Sequence, residues 1–320
     1  MKYEILPLKL IQILSDGSRH SGKKLGELLG ITQSTIDQHI HTLRQWGIQV
    51  IVNNNLGYQL VKKIDLLDYE LIFGLVRHGN IIVKSVINST NQYLLESIDQ
   101  LNSGDVCIAE YQTFGRGRRG RYWVSPFGCN INLSLYWHLH RGPTTAIGLS
   151  LVVGIVIAET LNKIIGNNIK LKWPNDLYLN EKKIAGILIE MISSPGNTAH
   201  IVIGIGLNVS MSCNDIKKSN QEWTNLEQDG VSIERNIIAS QIILALRHEL
   251  VQFEKYGFIP FIKRWLVLDN FLHKKVKLHI GNQIEIGIVK GINEYGAILL
   301  EQNCKIFSYI GDEISLRPDM

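Results

Sequence analysis

The hydrophobic pattern changes character twice along this 320-residue chain, which is also too long for a single core. Residues 1–62 begin with helical spacing. It predicts a first helix from Lys2 to Leu14 and a second from Lys23 to Leu29, stopped by Gly30. Thr32 can then cap a third helix, whose Ile36, Ile40 and Leu43 fall at i, i+4 and i+7, and Gly47 ends it. IQVIV and LGYQL follow as two short β-rich runs around a stretch of asparagines, a hairpin signal. Helix, tight turn, helix and hairpin together make the winged helix-turn-helix pattern.

The polar side of the third helix carries Gln33, Ser34, Thr35, Gln38, His41, Arg44 and Gln45, and Lys23 adds a cation on the second. Such amides, hydroxyls and cations read base edges or phosphates in a major groove. Residues 1–62 hold seven Lys/Arg against four acids, +3 of the chain's formal +4. The competing reading is a three-helix protein-interaction module, but such modules seldom combine a tight helix-turn-helix with a trailing wing. DNA is the preferred partner for this segment.

Residues 63–80 read as a connecting helix, with Asp65 as its cap, Asp68 three residues on and Gly79 closing it. From there to about Asn270 strands and helices alternate. GDVCIAEY, IKLKW, KIAGILIEMI and HIVIGIGLNV look like buried strands, and helices are expected at 90–101, 144–164 and 233–257. That describes one α/β or α+β domain around a sheet. From Phe271 onward five short alternating runs, separated by turns at Gly281-Asn282, 293–296 and Gly311-Asp312, suggest a small five-stranded barrel.

Composition excludes several classes. The longest apolar run, Ala146 to Ala158, contains Ser150 and is too short to cross a bilayer. Glu4 and Lys9 interrupt the first apolar stretch, so no signal peptide is read there. Cys107, Cys129, Cys213 and Cys304 stand far apart, which supports neither a zinc site nor a disulfide framework; buried free thiols in a reducing, cytoplasmic compartment are expected.

The sharpest chemical feature is GRGRRGR, Gly115 to Arg121, with four arginines and three glycines in seven residues. Glycine lets backbone N–H groups turn toward one anion, and arginine offers planar bidentate donors for phosphate or carboxylate. It is not a Walker loop, since Tyr122-Trp123-Val124 follows where Gly-Lys-Ser/Thr would stand. A basic tract that binds RNA is the other reading; in either case an anion is expected to order the loop. KWPND (Lys172–Asp176) and KKIAGIL (Lys182–Leu188) form a hairpin that brings Lys172, Asn175, Asp176 and Lys183 to one sheet end. Cations, an amide and a carboxylate are the mixture a magnesium nucleotide needs, with Asp176 the candidate carboxylate for Mg²⁺. Ser89-Thr90-Asn91 closes a strand and opens a helix, where the hydroxyls serve as caps or as ligand contacts. GIGLNV (Gly204–Val209) is a glycine-interrupted strand that a ligand can approach closely, and Trp223 is either a lid aromatic or a loop-packing residue.

In this order, STN, GRGRRGR, KWPND, KKIAGIL and GIGLNV resemble the biotin–protein ligase family. With the winged helix in front and the barrel behind, the chain is similar to its bifunctional branch, in which the ligase is also the biotin operon repressor. The resemblance implies a multidomain α+β chain: a winged helix over 1–62, the connecting helix over 63–80, a class II synthetase-like ligase domain with a mixed sheet over 81–270, and an SH3-like barrel over 271–320. It implies that Ser89, Thr90, Asn91, Gln112, Arg116 and Gly117 hold the biotin ring system, and that Arg118 folds over a biotinyl-adenylate. Lys183 would bind the reacting carboxylate and the α-phosphate. Trp123, Gly186, Gly204, Gly206 and Leu207 would line the tail pocket. Arg118, Arg119, Arg121, Lys172, Asn175, Asn208 and Trp223 would meet the nucleotide. ATP with Mg²⁺ and biotin are then the reactants, with no prosthetic group. The implied partners are the biotin carboxyl carrier protein of acetyl-CoA carboxylase, operator DNA, and a second copy in a homodimer promoted by biotinyl-AMP. A lipoate-type ligase, an inactive ligand-sensing repressor, and a ligase whose head no longer represses remain the alternatives.

Overall fold

In the computed structural model, all residues are described except 1–4, 54–55, 141, 143–145, 167, 195–197, 212–221, 232–233, 312–313 and 319–320. Cys213, Asn54 and Asn55 at the tip of the first hairpin, and Asp312 therefore lie outside the described residues.

The head is built from α1 (Ile5–Leu14), α2 (Gly22–Leu29) and α3 (Gln33–Gln45). Ser21 caps α2 by accepting from the Lys24 N–H, and Gly30 ends it in the left-handed region at φ 66°. Thr32 caps α3, accepting from the Thr35 N–H at 3.3 Å. The wing pairs β1 (Val50–Asn53) antiparallel with β2 (Gly57–Leu60). Leu10, Leu14, Leu25, Ile36, Ile40 and Leu43 are fully or almost fully buried between these elements. Their helical spacing gives this small unit its own core.

The connection departs from the sequence expectation. Its helix, α4, is shorter, Tyr69–Val76. Asp68 and not Asp65 is the cap, accepting from the Leu71 N–H, and Arg77 rather than Gly79 closes it at φ 62°. Asp65 is drawn off by a distant donor. Its carboxylate accepts the Arg235 N–H at 2.9 Å, while Arg235 Nε and Nη2 donate to its carbonyl. The guanidinium also pairs with Glu110 at 2.7 Å, both side chains being 4% exposed. Glu110 in turn accepts the Leu67 N–H. The linker is thus an extended strap clamped by a buried ion pair.

The central sheet has seven strands: β3 (Ile81–Ile87), β4 (Val106–Gln112), β5 (Asn130–Leu139), β6 (Lys170–Lys172), β7 (Asp176–Leu179), β8 (Lys182–Ser194) and β9 (Thr198–Asn208). Their spatial order is β3-β4-β5-β9-β8-β7-β6; β3 and β4 run parallel and every other pair is antiparallel. The alternation along β5 separates two faces. Ile131, Leu133 and Leu135 join the main core, into which α6 (Leu149–Ile165) and α7 (Arg235–Tyr256) also bury their apolar residues. Asn130, Asn132 and Ser134 point the other way, toward the side where α5 (Thr90–Glu96) lies. One face of the sheet carries the main core; the other carries a smaller apolar cluster of Leu94, Cys107, Tyr136 and Val202 under α5, and beside it a polar floor.

After α8 (Ile262–Leu268) come β10 (Lys275–Ile280), β11 (Gln283–Ile292), β12 (Ile298–Gln302), β13 (Lys305–Tyr309) and β14 (Ile314–Pro318). They form one antiparallel sheet in the order β13-β12-β11-β10-β14. Trp173 ties it to the central domain, its Nε1 donating to the Gly296 carbonyl at 3.0 Å. No helix among the described residues is long and apolar enough to cross a membrane. The thiols are not uniformly buried as expected. Cys107 is, and burial pushes its pKa up to about 12, but Cys129 is half-buried and Cys304 exposed.

Candidate active site and nucleic-acid face

On the polar face of the central sheet lies a cavity of about 250 Å³. Its walls include Ser89, Thr90, Asn91, Gln112, residues 116–119 and 121 of the Gly-Arg loop, Trp123, Lys172, Asn175, Asp176, Lys183, Gly186, Gly204, Gly206, Asn208 and Trp223. Segments more than a hundred residues apart in sequence thus share one space. Leu207 does not. The strand period turns Gly204, Gly206 and Asn208 to the cavity and sends Leu207, fully buried, into the core on the opposite face.

The glycines are explained by what stands over them. A Cβ on Gly204 would lie 2.3 Å from Asn91 Oδ1, and one on Gly206 would lie 2.3 Å from the Trp123 indole. Trp123 therefore packs on a glycine floor, with its Nε1 buried and without a partner among the described residues.

The polar end is a hydrogen-bonded chain. The Thr90 N–H and hydroxyl lie 2.9 and 3.2 Å from Gln112 Oε1. Ser134 Oγ lies 2.7 Å from Thr90 Oγ1 and also reaches Asn91 Oδ1. Ser89 caps α5. These groups are all at most 6% exposed, so a ligand here meets fixed donors and acceptors instead of water.

The loop is a tight hairpin. Trp123 N–H donates to the Gly115 carbonyl at 2.8 Å, Gly117 N–H to the Arg121 carbonyl at 2.7 Å, and Arg119 takes φ 60°. Arg118 Nη1 donates to Asn175 Oδ1 at 3.0 Å, and Arg116 Nη2 to Glu190 Oε2 at 2.9 Å. Opposite the loop, Lys183 Nζ stands 2.6 Å from Asp176 Oδ1 and 5.9 Å from the centre of the Trp123 ring. Asp176 is the one carboxylate on the cavity wall among the described residues. The Trp223 segment bridges to the Lys183 backbone: Lys183 N–H donates to the Glu222 carbonyl and Thr224 N–H to the Lys183 carbonyl. Lys172 is 6% exposed and donates to Tyr178 Oη at 2.9 Å. Burial lowers its pKa to about 8; Asp176 favours the charged form, while Arg317, Lys183 and Arg121 oppose it.

On the head, Lys23, Gln33, Ser34, Gln38, His41 and Arg44 are exposed. Thr35 is half-buried, its hydroxyl 2.9 Å from that of Thr32, and Arg44 folds back to the Val50 carbonyl at 3.2 Å. The other side chains are left on one accessible helix face, with Lys23 at the start of α2.

Two family models match. The biotin/lipoate A/B protein ligase family covers residues 83–208, and an HTH domain covers residues 8–59. The bifunctional ligase/repressor BirA of Salmonella typhimurium is 50% identical over 317 residues, spanning 99% of both chains. The protein of the same description in Escherichia coli is 49% identical over the same share. The chain belongs to the bifunctional ligase/repressor family.

Among solved structures, this family member is similar to the biotin protein ligase from Aquifex aeolicus in complex with biotin and ATP. The TM-score is 0.66 at 27% identity, over 76% of this chain and all of that one. Several residues at the site of the ligase/repressor chain escaped the sequence reading. Ser134, fully buried behind Thr90 and Asn91, lies on β5, for which no strand was expected although Asn130, Asn132 and Ser134 alternate with Ile131 and Leu133 in period two. Ile314, Leu316 and Arg317 reach the cavity from β14, a contribution across domains that no local pattern announces.

Proposed function

We propose that this chain joins biotin to ATP, forming biotinyl-5'-AMP, and transfers the biotinyl group to a lysine of a biotin carboxyl carrier protein. The observation that carries the reading is the pairing of a closed, amide-lined polar end with a Lys-Arg cluster around one carboxylate. A ureido ring needs fixed donors and acceptors, and an adenylation needs cations where phosphoryl charge develops. The polar end favours biotin over a lipoyl ring, which has no such groups; supplying labelled biotin or lipoate separates the two.

A biotin carboxylate oxygen attacks the α-phosphorus of ATP, the bond to the β-phosphate bridge breaks, and pyrophosphate leaves. Lys183 and Arg118 neutralise the charge that builds on the phosphoryl oxygens. Mg²⁺ would enter with the nucleotide, with Asp176 as its protein carboxylate. In the second step the acceptor amine attacks the acyl carbon and AMP leaves. A free lysine is mostly protonated at pH 7, at a cost of about 4.6 kcal/mol for the reactive form. Asp176 is assigned the proton and the orientation of that amine. Lys183→Ala should lower adenylate formation by about 10²–10³-fold, read as pyrophosphate release. Asp176→Asn should slow transfer of the biotinyl group from preformed adenylate to the acceptor. A near-normal rate in either assay removes that residue from its role.

The remaining assignments are part of the same proposal. The domain limits are 1–62, 63–80, 81–270 and 271–320, the catalytic sheet being class II synthetase-like and the last sheet an SH3-like barrel. The protein acts in the cytoplasm. Its head, as a biotinyl-AMP-promoted homodimer, represses the operator of biotin biosynthesis genes.

A further inference from the structure

Strand β8 turns Gly186, Leu188 and Glu190 to one face by its period of two. Gly186 and Leu188 line the cavity; Glu190 stands one step beyond it, with its side chain 26% exposed. A single carboxylate oxygen, Oε2, accepts from two donors: Asn91 Nδ2 at 2.8 Å and Arg116 Nη2 at 2.9 Å. The first comes from the opening turn of α5 and the second from the Gly-Arg loop. We propose that Glu190 is a positioning residue for this reaction, a latch that orients the polar end of the cavity and holds the arginine loop over it. The proposal rests on the reading of this cavity as the biotin and adenylate site.

Donor and acceptor rules show how far the influence of Glu190 extends. An asparagine amide can be turned either way, and its neighbours decide which. A carboxylate accepts only, so it must face the NH₂ of Asn91, and Asn91 Oδ1 then faces Ser134. That oxygen also only accepts, so the Ser134 hydroxyl must donate its one hydrogen there. The Thr90 hydroxyl is then the donor toward Ser134 Oγ or toward Gln112 Oε1. Glu190, the nearer and charged acceptor beside the Leu188 carbonyl at 3.4 Å from the same Nδ2, therefore helps set the direction of the chain Asn91–Ser134–Thr90–Gln112, and with it the pattern the ring of the substrate meets. A flipped amide would set an oxygen against the carboxylate.

The same oxygen acts on the loop. Four arginines in seven residues repel one another. Arg116 is offset by Glu190, a charge the protein itself supplies before any anion arrives. Loop closure and ring recognition are thus joined at one atom.

The test uses the full chain with wild type, Glu190→Ala and Glu190→Gln. For Glu190→Ala we expect biotin affinity by calorimetry to weaken by about tenfold or more, the scale of losing hydrogen bonds to a charged group. Trypsin should cleave between residues 116 and 121 faster by a similar factor, and KM for biotin should rise by more than kcat falls. Glu190→Gln keeps the shape and an accepting oxygen, so it should recover part of each; it also serves if the alanine variant folds poorly. Glu190→Ala with wild-type biotin affinity and wild-type cleavage rate overturns the latch alone. Equal falls in kcat with an unchanged biotin KM also overturn it, since that marks a merely structural role. A wild-type protein that binds no biotin overturns the reading of the site and the latch with it.

Discussion

At the scale of single residues, the site sets one buried cation beside several that water still reaches. Lys172 is the buried one. Its pKa near 8 lies below the usual lysine value because burial penalises the cation. Below pH 8 the amine is charged and can meet phosphate; above it the site loses that charge. KM for ATP should therefore rise as pH passes through 8, and Lys172→Met should remove that inflection while raising KM below it. The stability sign follows from the same shift. Between about pH 8 and 10.5 the unfolded chain holds the proton and the folded chain does not, so stability should increase with pH across that window. Sequence alone signalled the type of residue but not this state. Lys172 taken singly reads as a solvated surface lysine, and only its place at the end of a three-residue strand, under Tyr178, makes it a buried one.

At the scale of elements, legibility followed locality. Caps and stops that act within a few residues, such as Thr32 and Gly30, are where the sequence puts them. The strap before α4 is not, because Asp65 is claimed by Arg235, 170 positions away, and no local signal reveals that donor. Leu207, placed in the tail pocket by resemblance, faces the core instead, because the strand's period of two sets it opposite Gly204, Gly206 and Asn208. The strap clamp has a measurable consequence. Arg235→Met should leave Glu110 charged and unpaired at 4% exposure, at a cost of about 3–5 kcal/mol. Urea unfolding should report this as a lower midpoint with an unchanged slope. An unchanged midpoint would mean that the strap is held by packing alone.

At the scale of the whole molecule, the head sits directly on the site's supporting segment. Trp46, the residue that ends α3, stacks on Phe127 with 5.6 Å between ring centres, and its carbonyl accepts the Phe127 N–H at 2.9 Å. Phe127 follows Trp123 by four residues, so the reading helix and the indole over the glycine floor share one short stretch of chain. The exposed face of the head makes its own prediction. In gel shifts across a salt series with operator DNA, Lys23→Ala should weaken binding to all sequences and reduce the salt slope by about one. Gln38→Ala should leave the slope unchanged and relax the choice of sequence. If neither variant alters binding, the DNA face lies elsewhere.

The central claim is the transfer itself. Incubating the full chain with ATP, biotin and a biotin carboxyl carrier domain, then weighing that domain by intact mass spectrometry, tests it most directly. The structure predicts a gain of one biotinyl group that requires ATP and disappears when the acceptor lysine is replaced. An acceptor of unchanged mass, from a chain shown to be folded, would contradict it.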